Sequence, residues 1–208
     1  MNEKPSLLII GNANVGKSSI TKLLLPNPRN FKGKIGKTPG STLMIKPISQ
    51  QNLPYKIVDL PGFGYTKHSS RRRSEHIKKQ IVVHIEKNHS KYCFGLVVVN
   101  ILRIVDELEK HFIQNKKTIP LTFELIQFLD EFRIPILLIL NKIDQMSNLD
   151  KNKSIAFLVK IAEDYGLNLV RNSEYDQKDK TKIPYLEFSA LKKINLKELK
   201  KAIQRYLN

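Results

Sequence analysis

The chain has 208 residues, 41% of them hydrophobic, which fits one domain with a full core. No apolar run approaches the roughly 20 residues of a membrane span, and the only cysteine, Cys93, excludes an intramolecular disulfide and favours a reducing compartment, the cytoplasm or an organelle interior. The 36 Lys and Arg residues outnumber the 19 Asp and Glu residues, and the formal net charge of +17 predicts a polyanionic partner: RNA, DNA or an anionic membrane.

The first predicted element is a buried strand over residues 7–10, an apolar run flanked by turn-forming residues. It begins so close to Met1 that we expect no cleaved signal peptide before it. A helix is predicted to begin at Lys17, where Ile20 and Leu24 share one face, and to stop before Pro26. A strand, a loop and a helix in this order are the context in which a glycine-rich loop binds phosphate.

The loop between these two elements, Gly-Asn-Ala-Asn-Val-Gly-Lys-Ser over residues 11–18, has the spacing G-x-x-x-x-G-K-[ST]. Gly11 and Gly16 let the backbone bend and present its N–H groups to a phosphate without a Cβ in the way. Lys17 can reach the β- and γ-phosphates, and the hydroxyl of Ser18 can bind Mg²⁺. The alternative, a glycine turn without a ligand, is the weaker explanation in this context.

Residues 29–42 are predicted as a basic loop, and a turn at 52–54 joins two strands, over 43–49 and 55–58, into a hairpin. This hairpin would place one antiparallel strand at the edge of the sheet. The rest of the pattern predicts helix 74–86, strand 94–101, a helix with apolar residues from 121 to 132, strand 136–140, helix 155–165, a charged loop over 170–181 and strand 185–188. Asn195 and Glu198 resemble a capping box that opens a last helix.

Alternating strands and helices predict an α/β fold of three layers: a six-stranded, mostly parallel sheet with one antiparallel edge strand and helices on both faces. In such sheets ligands bind outside the carboxyl ends of the strands. Four motifs lie at such ends, and they begin at Gly11, Asp59, Asn141 and Ser189. We therefore expect these four segments to meet at one site.

Three of these motifs predict the ligand more closely. Asp59 ends a strand and can hold Mg²⁺ through water, while the N–H of Gly62 can contact a γ-phosphate. The carboxylate of Asp144 can accept two hydrogen bonds from the N1–H and N2–H₂ edge of guanine, which adenine lacks. The stem of Lys142 can pack over the purine ring. The backbone after Ser189 can donate to guanine O6, although an ordinary turn would have the same sequence.

Over residues 6–207 the chain resembles the EngB (YihA/YsxC) family of ribosome-biogenesis GTPases, which belongs with the TrmE, Era and EngA types to the translation-factor class of P-loop GTPases. Residues 11–19 resemble the phosphate-binding motif of that family, and residues 37–42, Lys-Thr-Pro-Gly-Ser-Thr, resemble its Pro-Gly-x-Thr switch I element. Residues 59–67, Asp-Leu-Pro-Gly-Phe-Gly-Tyr-Thr-Lys, resemble its most specific marker.

Two segments depart from the family pattern. Asn141 stands where many members have Thr, but Asn is usual in other GTPases, so guanine specificity is not in doubt. Residues 100–103, Asn-Ile-Leu-Arg, depart from an Asp-x-Arg element that is common in the family. With these departures, the resemblance implies a single Ras-like G domain over residues 1–208.

The resemblance also implies which residues contact GTP or GDP. It implies that Ser18, Thr42 and Asp59 hold Mg²⁺, with Thr38 as a competing switch I threonine, and that Lys17, Thr42 and Gly62 serve catalysis. The nucleotide-binding residues that it implies are Gly11, Asn12, Ala13, Asn14, Val15, Gly16, Lys17, Ser18, Ser19, Gly40, Ser41, Thr42, Asp59, Leu60, Pro61, Gly62, Asn141, Lys142, Asp144, Phe188, Ser189 and Ala190.

The expected reaction is attack of water on the γ-phosphate, in which catalysis is mostly positioning and charge stabilisation. Phe63 stands where many GTPases have a water-orienting Gln, so we expect slow intrinsic hydrolysis. In related GTPases an asparagine at the position of Asn14 helps to hold K⁺ beside the phosphates. Bracing of the loop is an equal alternative for Asn14.

The resemblance implies a nucleotide-dependent switch in assembly of the large ribosomal subunit, linked to cell division and septation. A lysine-rich proteome bias would also explain the positive charge, but we favour a nucleic-acid partner, the ribosomal subunit and its rRNA. The basic segment with Lys67, His68 and residues 71–73 is our candidate rRNA surface in the GTP state, and a solvated helix start is the alternative. We expect a cytoplasmic monomer without sequence-specific DNA binding or integral membrane association.

Three alternative functions remain at this point, and one of them, an RNA-binding module without activity, is disfavoured by the intact Lys17 and Ser18. A P-loop nucleotide kinase is disfavoured by the Asn141 to Asp144 motif and by the lack of an arginine-rich lid. A small regulatory GTPase in membrane-associated signalling is disfavoured because residues 205–208 carry no lipidation motif.

Overall fold

The computed structural model describes residues 3–30, 45, 47–63, 71–110 and 118–207. The described residues form six strands: β1 Ser6–Gly11, β2 Lys56–Asp59, β3 Tyr92–Asn100, β4 Ile136–Asn141, β5 Asn168–Arg171 and β6 Lys182–Phe188. They also form six α-helices: α1 Lys17–Leu24, α2 Arg71–Asn88, α3 Ile104–Glu109, α4 Leu121–Glu131, α5 Asn148–Asp164 and α6 Leu196–Arg205. In this part of the chain, every helix is too short or too polar to cross a bilayer.

The six strands form one sheet in the order β2-β1-β3-β4-β6-β5, and every pair of neighbours is parallel. The central strands β1, β3 and β4 are almost continuous runs of apolar residues, as expected for strands that are covered on both faces. The register places Gly11 beside Val98 and Asn100 beside Asn141. The motifs at the carboxyl ends of these strands therefore meet at one edge of the sheet.

Hydrophobic side chains cover both faces of the sheet. Leu8 and Ile10 point to one face, where they join the apolar residues of α2, α3, α4 and α5. Leu7 and Ile9 point to the opposite face, where they join α1 and α6. All four residues are completely buried, because successive side chains of a strand alternate between its two faces. The three predicted layers are therefore confirmed.

The antiparallel edge strand predicted over residues 43–49 is not shown by the structure. Among the described residues of this segment, Ile48 forms a single antiparallel bridge with Ile57, through backbone N–O distances of 2.7 and 2.9 Å. The sixth strand is instead β5, which the sequence analysis assigned in part to a charged loop, and it pairs in parallel with β6. Four residues with polar ends, Asn168 and Arg171, are too short a pattern to show strand periodicity.

The predicted capping box before α6 is also wrong. Asn195 has a φ of 60°, and its Nδ2 donates to the carbonyl oxygen of Glu187 at 2.8 Å instead of capping the helix. Glu198 forms an ion pair with Lys201 at 3.0 Å. A left-handed conformation at Asn195 directs its side chain away from the first turn, and Asn is one of the residue types that tolerate this conformation.

Helix α5 begins seven residues before the predicted start at residue 155. Its N-cap is Ser147, whose Oγ accepts a hydrogen bond from the backbone N–H of Asp150 at 3.1 Å. The first turns of α5 are polar and mostly exposed, so they carry none of the apolar periodicity from which the prediction was made. The Ser-x-x-Asp pattern at residues 147–150 was the available signal.

Candidate functional site

The loop between β1 and α1 depends on two glycines whose positions no other residue could take without strain. Gly11 has a φ of 147°, and a Cβ there would collide with the carbonyl oxygen of Val98. Gly16 has a φ of 104°, and a Cβ there would collide with Nδ2 of Asn141. The loop therefore bends so that it lies directly against β3 and against the carboxyl end of β4.

Lys17 lies beneath this loop and is 7% exposed. Its Nζ donates to the carbonyl oxygens of Gly11 at 3.0 Å and Asn12 at 2.7 Å. Burial lowers the pKa of Lys17 to about 8, and the charge of Asp59 opposes this shift in part. A phosphate beside the loop would add a strong negative charge to this ammonium group, which the protein alone satisfies incompletely.

Ser18 and Asp59 are joined by a hydrogen bond of 2.8 Å from Oγ of Ser18 to Oδ2 of the carboxylate. Asp59 is 6% exposed, and burial raises its pKa, against the opposing effects of Ser18 and Lys17. Oδ1 of Asp59 is buried and has no hydrogen-bond partner among the described residues. A hydroxyl and a carboxylate are the oxygen ligands that Mg²⁺ prefers, so these residues fit a magnesium site.

The segment after β2 pairs with the glycine-rich loop through its backbone. The N–H of Ala13 donates to the carbonyl oxygen of Phe63 at 2.7 Å. The N–H of Phe63 donates to the carbonyl oxygen of Gly11 at 3.2 Å. A Cβ on Gly62 would lie 2.7 Å from Cα of Ala13, so only glycine allows this approach. The side chain of Phe63 is 5% exposed and belongs to the core beneath the sheet.

Asn141 ties together three loops of the site. Its Nδ2 donates to the carbonyl oxygen of Val15 at 2.7 Å, and its Oδ1 accepts from the backbone N–H of Ala190 at 3.0 Å. The side chain is 2% exposed. The sequence predicts a base-recognising motif at Asn141, and its spacing carries no signal of this bracing role. In the structure, the backbone N–H of Ala190 is already engaged by Asn141.

Asp144 lies beside Ser189, whose Oγ donates to Oδ1 of Asp144 at 2.5 Å and accepts from the backbone N–H of Lys192 at 2.9 Å. Lys142, between Asn141 and this carboxylate, has a φ of 74°. Burial and the charge of Arg103 lower the pKa of Lys142, while Asp144 opposes the shift. The motif that begins at Asn141 therefore presents an oriented carboxylate next to the stem of a lysine.

Two predicted contact residues can take part only through their backbone. The side chains of Leu60 and Phe188 are completely buried in the two cores.

Arg71, Arg72 and Arg73 lie at the start of α2. Six further predicted residues, Thr38, Gly40, Ser41, Thr42, Lys67 and His68, lie outside the described residues.

Glu107 is a residue of the site region that the sequence analysis did not name. Its Oε2 accepts from Nδ2 of Asn12 at 3.2 Å, and its Oε1 accepts from the N–H and hydroxyl of Thr122 at 3.0 and 2.8 Å. Glu107 thus connects the glycine-rich loop to the start of α4. Beside this contact a cavity of about 620 Å³ extends along α3, with Asn14 and Lys142 among its lining residues.

A parallel α/β sheet with a glycine-rich loop after its first strand, a buried Asp beneath that loop and an Asn-Lys-x-Asp segment tied to it defines the class of P-loop GTPases. The sequence profile of the family described as 50S ribosome-binding GTPase matches residues 6–142. This match covers more than half of the chain and includes every motif except the segment at Ser189 and the end of the Asn141 motif.

Individual relatives agree with this match. The probable GTP-binding protein EngB of Methanococcus aeolicus is 30% identical over 161 residues, which span 77% of this chain and 67% of that protein. Its counterpart from Pyrococcus abyssi is 32% identical over 179 residues, 86% of this chain and 76% of that protein. A crystal structure of a probable GTP-binding protein engB superposes with a TM-score of 0.74 at 29% identity, covering 97% of this chain and 98% of that chain.

The chain belongs to the EngB family of GTP-binding proteins. It is accordingly a GTPase, an enzyme that binds GTP and hydrolyses it to GDP.

Proposed function

We propose that the chain is a single G domain in which the site at the carboxyl ends of β1, β2, β4 and β6 binds guanine nucleotide with Mg²⁺ and acts as a switch in assembly of the large ribosomal subunit. The observation that carries this proposal is the side chain of Asn141, which joins Val15 in the glycine-rich loop to Ala190 in the loop after β6. One loop suits phosphates and the other suits a base, so a single ligand with both groups fits the site.

The residues have separate roles in this proposal. Lys17 and the N–H groups of residues 13–18 hold the phosphates and stabilise the charge that develops during hydrolysis. Ser18 and Asp59, with Thr42 from switch I, hold Mg²⁺, which neutralises charge on the β- and γ-phosphates. Asp144 accepts two hydrogen bonds from guanine, and Gly62 offers its N–H to the γ-phosphate.

Hydrolysis without a partner is slow in this proposal, because the side chain of Phe63 is buried in the core and has no group that could orient water. Asn14 lines the cavity along α3 beside the loop, where a K⁺ ion held by its amide oxygen would add positive charge near the phosphates. Steady-state hydrolysis in K⁺ and in Na⁺ at equal ionic strength tests this role. Equal rates would leave Asn14 with a bracing role alone.

The proposed partner is rRNA of the large subunit in the cytoplasm, in a process linked to cell division. The formal net charge of +17 and the family description as a 50S ribosome-binding GTPase support it. In this proposal, switch I and the segment after Gly62 take different conformations with GTP and GDP. The basic residues from Lys67 to Arg73 follow directly in sequence, so the bound nucleotide would control a basic surface.

The test is sedimentation of purified protein with ribosomal particles in a sucrose gradient, with a non-hydrolysable GTP analogue or with GDP. We expect co-migration with the large subunit or its precursors in the GTP form, and loss of this binding when Arg71, Arg72 and Arg73 are each replaced by Glu. Binding that is equal in both nucleotide states, or that goes to membranes, would contradict the proposal.

A further inference from the structure

A second cavity lies at the opposite edge of the sheet from the nucleotide loops. It has a volume of about 450 Å³ and is formed around the starts of β4 and β6. We call it the rear pocket, and the residues that matter below are Arg133, Tyr175, Lys180, Lys182, Pro184 and Tyr206. Because it lies at the amino ends of the strands, the rear pocket is separate from the nucleotide site.

The floor of the rear pocket is apolar and aromatic. Ile134, Ile136 and Pro184 lie buried along it. The ring of Tyr206 is stacked on Phe94 with 4.1 Å between the ring centroids, which fixes its orientation. Tyr175 lies at the same wall, with 3.5 Å between its hydroxyl oxygen and that of Tyr206. Flat, fixed rings of this kind suit a planar aromatic ligand.

The rim of the rear pocket is cationic. Three of its lining residues are cationic, Arg133, Lys180 and Lys182, whereas only one, Asp130, carries a carboxylate. Arg133 and Lys180 are exposed, whereas Lys182 forms an ion pair with Asp179 at 3.0 Å. An apolar floor with two exposed cations at its entrance suits a planar group that carries negative charge beside it, which is the chemistry of a nucleobase with its phosphate.

Helix α6 carries further exposed lysines. Lys197, Lys200 and Lys201 are exposed at a spacing of three and four residues, so they share the outer face of the helix, where Lys201 is paired with Glu198 at 3.0 Å. The inner face carries Leu199, Ala202 and Ile203, which are buried against the sheet. Tyr206 follows Leu199 by seven residues and packs against the same core, so it lines the rear pocket from the inner side of α6, and the three lysines lie on the opposite side of the helix. The cations beside the pocket are therefore Arg133 and Lys180, and two exposed cations on one rim match the phosphates on either side of a bound base.

We propose that the rear pocket takes an unpaired base of single-stranded RNA, with the neighbouring phosphates at Arg133 and Lys180 on its rim. Bases of single strands stack on aromatic side chains while basic residues follow the backbone, and both features are present here. The choice of RNA over DNA rests on the proposed function, and this inference deepens it by naming a second surface for rRNA. An RNA bound there leaves the nucleotide loops free.

Fluorescence anisotropy with a fluorescein-labelled single-stranded 12-nucleotide RNA tests the proposal on the full chain with GDP bound. Tyr175→Ala removes a stacking ring and should weaken binding about tenfold. Arg133→Asn with Lys180→Gln removes two phosphate contacts, so it should lower the slope of log affinity against log salt by about 1.4. Asn is chosen because Arg133 has a φ of 54°, which Asn tolerates.

The matched control is Lys153→Gln with Lys160→Gln, which removes two charges from exposed positions of α5. It should change the RNA affinity less than about twofold and leave most of the salt slope unchanged. Guanine-nucleotide affinity and thermal unfolding are measured for every variant, and unchanged values show that the fold is intact. An RNA carrying 5-iodouracil should also crosslink to the peptide that contains Tyr175.

The proposal is overturned if the rear-pocket variants bind RNA like the control, if duplex RNA binds as tightly as the single strand, or if the crosslink maps to another surface. Displacement of the RNA by a free mononucleotide at equal molar concentration would also overturn it. The proposed function fails by a different result, GTP-independent binding of the wild-type protein to ribosomal particles. The two failures are therefore distinguishable.

Discussion

The hydroxyl of Ser18 donates a 2.8 Å hydrogen bond to Oδ2 of Asp59, while Oδ1 of the same carboxylate is buried without a partner among the described residues. The bond joins the start of α1 to the end of β2, and it orients both groups toward the loop over Lys17. An unpaired oxygen in a buried carboxylate is destabilising unless a cation or a water satisfies it.

Replacing Asp59 by Asn should remove the dependence of nucleotide binding on Mg²⁺, because a neutral amide binds the ion poorly. In the wild type, removal of Mg²⁺ by EDTA should accelerate dissociation of a fluorescent GDP analogue at least tenfold. This factor corresponds to a metal contact that stabilises the bound nucleotide by about 1.4 kcal/mol. In Asp59→Asn the analogue should dissociate rapidly with or without EDTA. If EDTA still accelerated dissociation from Asp59→Asn as it does from the wild type, Asp59 would not be a ligand of the metal.

The depressed pKa of Lys17 predicts a pH dependence of stability in the nucleotide-free protein. The pKa is about 8 in the folded state and near 10.5 in the unfolded state, so between these values the unfolded chain binds more protons. The destabilising effect of the buried charge is complete below pH 8 and disappears as the pH rises toward 10.5. From pH 7.5 to 9.5, the wild type should gain about 2 kcal/mol relative to Lys17→Met.

Urea unfolding of the two proteins at both pH values measures this difference, and subtraction removes the shared contribution of the tyrosines and other lysines. Saturating GDP should abolish the difference between the two proteins in how the free energy of unfolding depends on pH, since phosphate oxygens beside Lys17 restore its pKa. Parallel stability curves for the wild type and Lys17→Met without nucleotide would contradict the assigned pKa.

Asn141→Ala should destabilise the protein by about 2 kcal/mol or more, because it leaves the buried carbonyl oxygen of Val15 without its donor and Ala190 without its acceptor. Guanine-nucleotide affinity should fall in parallel, since both loops lose their brace. Asn141→Thr should be intermediate, because one hydroxyl can replace only one of the two bonds. Urea unfolding and GDP titration measure the effects, with the exposed Asn152→Ala as the control, which should change neither.

Gly16→Ala and Gly166→Ala separate backbone strain from collision. Both glycines have a positive φ, 104° and 74°, but a Cβ on Gly166 meets nothing within 4 Å, whereas a Cβ on Gly16 collides with Nδ2 of Asn141. Gly166→Ala should therefore lose only about 1 kcal/mol of stability. Gly16→Ala should lose more, together with nucleotide binding. Its effect should be less than additive with Asn141→Ala, since both break one contact.

The fold was predictable where its signals are local. Aliphatic runs and short breaker segments locate β1, β3 and β4, and the alternation of strands with helices gives a parallel sheet. Strand β5 was missed because its four residues show too little periodicity to separate them from a charged loop. Asn195 was misassigned because capping depends on backbone conformation, and its φ of 60° is not encoded in the spacing to Glu198.

The composition of the site was predictable, but its connections were not. Spacing alone shows that Asn141 follows a strand, whereas its bond to Val15 joins residues 126 positions apart and follows from the order of strands in the sheet. The contact between Glu107 and Asn12 has the same origin. The rear pocket gathers residues from three segments between 130 and 206, which no motif links.

The bond between Asn141 and Val15 also has a consequence for synthesis of the chain. The glycine-rich loop is translated before the residue that braces it, which follows Val15 by 126 positions. At roughly 5 to 20 residues per second, about 6 to 25 s pass between translation of Val15 and translation of Asn141, and more time passes before Ala190 is translated. Until Asn141 has been translated, the glycine-rich loop lacks the hydrogen bond that braces it, so the nucleotide site of the nascent chain is incomplete.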